Sequence, residues 1–203
     1  MNNIRCIISD PPWSFNDSLK KMKRSVKRSA VSQYNVMSVS DIAALPVASL
    51  ADPAGCLLAL WVPSSMLDQG FKVMNAWGFK LKQTFVWVKL KKEFALEEDW
   101  NLGTRVGMGR LFRQSHEIAL IGTSGKSVYP WLEDHSQRSV AFDLNQGHST
   151  KPSTLHQRLE KMFPDVEKLE MFARRQRKGW TCIGDAIDGK DITTSIQELI
   201  TAL

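Results

Sequence analysis

Asp10, Pro11, Pro12 and Trp13 put a carboxylate, a carbonyl on a rigid backbone and an indole into four consecutive positions. Together they suit one task, gripping the exocyclic amino group of a flat base such as adenine. That nitrogen is a poor nucleophile because its lone pair is delocalised into the ring. Drawing its hydrogens toward a carboxylate and a carbonyl favours a pyramidal, reactive form. Asp10 supplies the first acceptor and Pro11 the second, and two successive prolines hold the pair nearly rigid, so little orientation entropy is lost. Trp13 adds a face on which the base could stack. The competing reading is a mere turn, because Asp-Pro opens turns and proline cannot continue a central strand.

The elements around this turn argue for a site. RCIIS (5–9), CLLALWV (56–62), TFVWV (84–88), EIALIG (117–122), KLEMFA (168–173) and WTCIG (180–184) have strand length and strand composition. Their near-continuous hydrophobicity predicts strands covered on both faces. SVSDIAALPVASLA, SSMLDQGFKVMNAWG and PSTLHQRLEKMF read as helices, with serine caps before the first two and Pro152 in the first turn of the third. A last amphipathic helix is expected over 191–203, with Ser195 and Glu198 as a capping pair. Strands alternating with helices predict an α/β domain with a mostly parallel sheet, and ligands in such folds bind beyond the carboxyl ends of strands, where Asp10 would lie. The segments 14–37 and 90–114 are longer than ordinary connections and read as substrate loops.

Length and composition fit a single domain over 1–203, with 43% hydrophobic and 24% charged residues. No apolar run reaches the roughly 18 to 20 residues needed to span a bilayer. No apolar leader is visible at the amino terminus, so a cytoplasmic protein with no membrane partner is expected. Cys6, Cys56 and Cys182 lie singly in apolar stretches and read as reduced core thiols, with neither disulfide nor zinc spacing; no metal is expected. The net charge of +6 has a local origin: without Lys20, Lys21, Lys23, Arg24, Lys27 and Arg28 the 27 basic residues fall to 21, equal to the acidic ones. This run is either a solvated surface or a contact for a polyanion such as nucleic acid.

Two motifs fail on inspection. GTSGKS (122–127) has two residues between its glycines where a phosphate loop needs four, and Pro130 interrupts the helix that should follow. GMG (107–109) lacks the preceding strand and third glycine of a dinucleotide fingerprint. His116 and His148 stand apart from any such motif and read as hydrogen-bonding residues of core or loop.

In chain order, DPPW, YNVMSVSDI, CLLALWV, FVWVK, RLFRQSHEIALIG, HSTKPSTLHQRLEKMFPDVEKLEMFARRQRKGW and GD resemble the adenine-N6 methyltransferases related to the catalytic subunit of the eukaryotic mRNA methyladenosine writer. Within that family the chain is most similar to compact bacteriophage and bacterial members, which implies a phage or bacterial host cytoplasm. The resemblance runs from residue 4 to about residue 188. It implies a Rossmann-like methyltransferase fold of permuted order, with helices on both faces of the sheet and S-adenosylmethionine as methyl donor. By the same resemblance Asp10, Pro11, Pro12 and Trp13 form the catalytic motif, and Asp10 also meets the cofactor. Lys151 would lie near the cofactor's methionine carboxylate, Glu170, Arg174, Gln176 and Arg177 at its ribose and methionine ends, and Asp185 at its adenine. Tyr34 matches a tyrosine over the acceptor base, and the basic residues 20–28 would contact nucleic acid, with DNA read ahead of RNA. Gln176 departs from the family, where eukaryotic relatives often carry histidine. Those relatives also have a segment before the catalytic strand that contributes to the adenine pocket and that this chain starts short of, so that side of the pocket is expected to be open, built from elsewhere or completed by a partner. A catalytically silent nucleic-acid-binding subunit is the rival reading, and a homodimer holding a duplex is left open.

Overall fold

The computed structural model describes residues 4–14, 36–91, 104–107, 111–144 and 151–202. Tyr34 and the basic residues Lys20, Lys21, Lys23, Arg24, Lys27 and Arg28 lie outside the described residues, as does His148.

Seven strands form one sheet: β1 (Cys6–Ser9), β2 (Cys56–Val62), β3 (Lys80–Leu90), β4 (His116–Ser124), β5 (Val140–Leu144), β6 (Lys168–Met171) and β7 (Thr181–Ile183). Their spatial order is β5-β3-β4-β2-β1-β6-β7. β4 runs antiparallel to both of its neighbours, and every other pairing is parallel. The helices are α1 (Val39–Ala43), α2 (Leu67–Ala76), α3 (Thr154–Met162), α4 (Asp185–Asp188) and α5 (Ile192–Ala202).

All residues of β1 and β2 are buried, as their unbroken apolar runs predict for strands covered on both faces. Alternation then sorts side chains into two cores. Ile7, Leu58, Leu60, Leu120 and Leu169 pack under α1, α2 and α5, through Ile42, Val73, Met74 and Ile196. Cys6, Ile8, Ala59, Trp61, Phe85 and Trp87 pack under α3, through Leu155 and Leu159. Helix α2 approaches the sheet closely because two glycines permit it. A Cβ on Gly70 would meet Val62 at 2.7 Å, and one on Gly122 would meet the Met74 sulfur at 2.9 Å.

The chain leaves β1 for β2 through helices on one face and returns to β6 through α3 on the other. The β1/β6 boundary is therefore the switch point of the sheet, the place beyond whose carboxyl ends open α/β sheets bind their ligands. The half of the sheet holding β6 and β7 comes last in the chain yet lies against β1, which is the permuted order of a Rossmann-like methyltransferase fold.

Several local expectations are corrected. The helix expected over 38–51 is broken: α1 is capped by Ser38, whose Oγ accepts the Asp41 N–H at 3.1 Å, and a 3-10 turn at Val47–Ser49 follows Pro46. Proline lacks the N–H and disfavours helix in the residue before it. Ser64 and Ser65 form a 3-10 turn rather than a cap of α2, and Pro152 precedes α3 instead of entering it. At α5 the capping acceptor is Asp191, which takes the Thr194 N–H at 3.0 Å, while Glu198 pairs with Lys190. β5 joins the six expected strands; it is a short edge strand with only Ala141 fully buried, so its apolar signal is weak.

Candidate active site

The strand-ending turn is tightly built. The Trp13 N–H donates to Pro11 O at 2.9 Å, and the indole Nε1–H donates to Trp61 O at 2.9 Å. The ends of the 14–37 segment are tied to the same turn, because Met37 N–H donates to Pro12 O (2.8 Å) and Ser14 N–H to Met37 O (3.1 Å). Trp13 is only 6% exposed and packs among the core residues beneath α1 and α2. The structure thus presents Trp13 as the anchor that fixes the turn, with no open face for stacking. The Pro11 carbonyl already accepts one hydrogen bond and keeps a second lone pair.

Asp10 is half-buried at the head of a chain of alternating charges. Lys151 Nζ lies 2.9 and 2.7 Å from the two Asp10 carboxylate oxygens and 3.2 Å from Glu117 Oε2. Lys89 Nζ closes on the other Glu117 oxygen at 2.5 Å. The backbone of Lys89 is itself pinned, its N–H donating to Ser115 O and its carbonyl accepting the Arg105 N–H. Lys151 also stands 5.4 Å from the Trp61 ring. Burial alone would lower the Lys151 pKa, but Asp10 and Glu117 outweigh it and raise it above the usual lysine value. Burial would likewise raise Glu117, yet Lys151 and Lys89 hold its carboxyl below the usual range. The result is a lysine kept charged inside the site with two carboxylates beside it.

A second cluster lines β6. Glu170 pairs in register with Ile8, so it stands on the same face as Asp10, across the switch point. His156 on α3 brings Nε2 within 2.9 Å of Glu170 Oε2. Arg177 holds Glu160 through both carboxylate oxygens (2.7 and 3.0 Å), and Trp180 Nε1–H donates to the same carboxylate at 2.7 Å. These bonds keep Glu160 below the usual carboxylate pKa, with the Arg177 contact the largest cause. Arg174 and Gln176 are exposed on the turn after β6, and Asp185 is exposed at the start of α4. Phe172, in that turn, has φ of 59°, the one non-glycine in the left-handed region among the described residues. Such backbone is costly and clusters where function holds it. Gly184 lets the turns after β6 and β7 touch: its φ is 153°, and a Cβ there would meet Ala173 O at 2.8 Å.

Of the residues singled out by sequence, Asp10, Pro11 and Lys151 are brought together, and Glu170 stands beside them. Arg177 is engaged with Glu160, while Arg174, Gln176 and Asp185 are exposed on the turns after β6 and β7. Sequence reasoning missed Lys89, Glu117, His156 and Glu160. A single charged residue on the inward alternation of each of the runs FVWVK and HEIALIG, Lys89 after Phe85 and Trp87 and Glu117 before Ala119, was the available signal for the first two. The donor set fits a ligand that carries a carboxylate, an ammonium and vicinal hydroxyls: a charged lysine, a carboxylate and a second carboxylate in one site. Among the described residues no group of three His, Cys, Asp or Glu side chains could hold a metal ion, and no helix is long and apolar enough to cross a membrane.

The fold is that of an S-adenosylmethionine-dependent methyltransferase, and the family model MT-A70 matches residues 4–186. The chain belongs to the MT-A70 family, whose methyltransferases depend in general on S-adenosylmethionine. It is similar to an N(6)-adenosine-methyltransferase MT-A70-like protein of Arabidopsis thaliana, 26% identical over 185 residues, which are 90% of this chain and 24% of that protein. It is also similar to the Type II methyltransferase M.MunI of Mycoplasma sp, 26% identical over 188 residues, covering 86% of this chain and 73% of the other. The N(6)-adenine-specific methyltransferase METTL4 of Homo sapiens is 30% identical over 188 residues, 89% of this chain and 37% of its own length. The chain therefore spans about a quarter of the plant relative and nearly three quarters of the Mycoplasma one.

Proposed function

We propose that this chain transfers a methyl group from S-adenosylmethionine to the N6 amino group of adenine in DNA. The observation that carries the reading is the carboxylate of Asp10, set on a proline-stiffened turn at the switch point and held by Lys151 at 2.7 Å. Lys151 is the residue that would hold the methionine carboxylate, Asp10 its ammonium, Glu170 the ribose hydroxyls, and Asp185 the adenine edge. When bound, the cofactor supplies a methyl group on a cationic sulfur, with a neutral thioether as leaving group. Asp10 and the free lone pair of Pro11 would accept the amino hydrogens of the target base and orient its nitrogen, and the proton that nitrogen sheds on methylation would leave by way of Asp10 or solvent. Glu117, itself braced by Lys89, would keep Lys151 paired were that lysine to turn from Asp10 toward the cofactor's carboxylate. Catalysis on these terms is mainly positioning.

A base inside a duplex is out of reach, so the target is flipped out or single-stranded. Tyr34 is proposed at the acceptor base and the basic residues 20–28 on the phosphates. DNA is preferred because the chain fills 73% of the Type II methyltransferase but only 24% of the adenosine methyltransferase. The test is methyl transfer from labelled S-adenosylmethionine to duplex DNA, single-stranded DNA and RNA in parallel, with nucleoside mass analysis. N6-methyladenine in DNA supports the proposal, methylation confined to RNA replaces the polymer, and silence on all three with no cofactor binding by calorimetry refutes the enzyme.

A further inference from the structure

His156 is accounted for neither by the motif around Asp10 nor by the charge chain through Lys151. It lies on the buried side of α3 beside Leu155 and Leu159, 8% exposed, and neither ring nitrogen has a hydrogen-bond partner of good alignment. A buried imidazole left in that condition is expensive, and an apolar side chain would fill the space at lower cost. Its surroundings show what holds it. The ring meets Trp180 edge to face, with centroids 5.0 Å apart and planes at 66°. Trp180 is fixed by its bond to Glu160, and the charge of Glu160 is matched by Arg177. Glu160 is thus already paired, and the carboxylate left to face the imidazole is Glu170, 2.9 Å from Nε2.

We infer that His156 is a positioning residue for Glu170: the clamped imidazole occupies one carboxylate oxygen and so fixes the plane in which the other meets the cofactor's ribose hydroxyls. This rests on the functional reading above. A glutamate side chain alone swings about three bonds. Holding one oxygen 2.9 Å from a buried ring packed on Trp180 narrows that freedom before the ligand arrives, and preorganisation of this kind is where affinity and selectivity come from. The inference concerns the distinction between a ribose and an analogue without hydroxyls, which a merely space-filling histidine would not affect.

The experiment is calorimetric titration of the purified chain, without nucleic acid, using S-adenosylhomocysteine and its 2′,3′-dideoxyribose analogue. Three proteins are compared: wild type, His156→Phe, which keeps a ring against Trp180, and His156→Gln, which offers an amide donor near the Nε2 position. Wild type is expected to prefer the ribose ligand by at least about tenfold, the worth of one good hydrogen bond. His156→Phe should weaken the ribose ligand by about tenfold, leave the dideoxy ligand within about twofold, and so erase the preference, while His156→Gln restores most of it. Equal weakening of both ligands, or an unchanged preference in His156→Phe, overturns the inference and leaves the cofactor reading standing. If wild type binds neither ligand, the functional reading falls and the inference with it. Should His156→Phe fail to fold, Glu170→Gln alone and combined with His156→Gln decides the matter: loss of preference in Glu170→Gln, with nothing added by the second change, supports the inference, and additive losses refute it.

Discussion

Asp10→Asn separates the chemical role of the turn from its structural one. The substitution keeps side-chain size, and the bonds Trp13 N–H to Pro11 O and Trp13 Nε1–H to Trp61 O do not involve the carboxylate. What is lost is one charge. Lys151 exchanges two charged contacts at 2.9 and 2.7 Å for one neutral acceptor and retains Glu117 at 3.2 Å. Charge-assisted hydrogen bonds contribute about 1.5 to 3 kcal/mol. The Asp10 and Lys151 side chains are 28% and 19% exposed, so solvent screens part of this. A net loss of about 1 to 2 kcal/mol is expected, or roughly 2 to 8 °C in Tm for a domain of this size. The transition state loses more. Removing one preorganised group aimed at a reacting centre typically costs about 3 to 4 kcal/mol, a fall of about 10² to 10³ in the chemical step. Single-turnover methylation well below Tm, with thermal melts run beside it, reads both numbers. Activity within about threefold of wild type in a folded variant would refute the acceptor role of Asp10. A protein that no longer folds would restore the reading of this stretch as a turn and nothing more.

Three further outcomes follow from the same geometry. Trp13→Ala, which by sequence alone looks like a clean catalytic knock-out, is expected to lose about 3 to 5 kcal/mol of stability because Trp13 sits in the core; a melt close to wild type would contradict that placement. Stability against pH should show two limbs tied to the charge chain. Lys151 is raised above its unfolded value, so its contribution is complete below the unfolded lysine pKa and is lost as pH climbs through the folded one. Glu117 is lowered, so its share is present above the unfolded carboxylate pKa and is lost as pH falls through the folded one. Urea unfolding should therefore show a plateau through neutral pH whose alkaline limb flattens in Lys151→Met; an unchanged limb would mean the lysine contributes no pH-linked stability. Finally, replacing the six basic residues of 20–28 with serine should weaken duplex DNA binding and reduce its salt dependence, and an unaltered salt slope would remove those residues from the nucleic-acid surface.

The sequence carries the elements well and their partnerships poorly, and the difference is physical. β1 and β2 announce themselves because strands buried on both faces must be apolar at every position, and the turn after β1 because prolines cannot continue a ladder. β5 is nearly silent because an edge strand buries little. The site divides the same way. Asp10 and Lys151 are legible one at a time, as members of motifs, but their contact joins residues 141 positions apart, and nothing local specifies it. Glu117 and Lys89 were hidden because a charge inside an apolar run reads as the polar face of a strand until the sheet shows that both carboxylate oxygens are occupied by lysines. Trp13 erred in the opposite direction: an aromatic beside a catalytic motif suggests a ligand surface, whereas this indole is spent on holding the turn. The motif therefore names the acceptors but omits their competitor. Lys151 holds both oxygens of Asp10, so a group that is to use that carboxylate has to compete with the lysine for it. On the function proposed above, a cofactor carboxylate would draw the lysine away and an adenine would not, which would make Lys151 the link between filling one half of the site and activating the other.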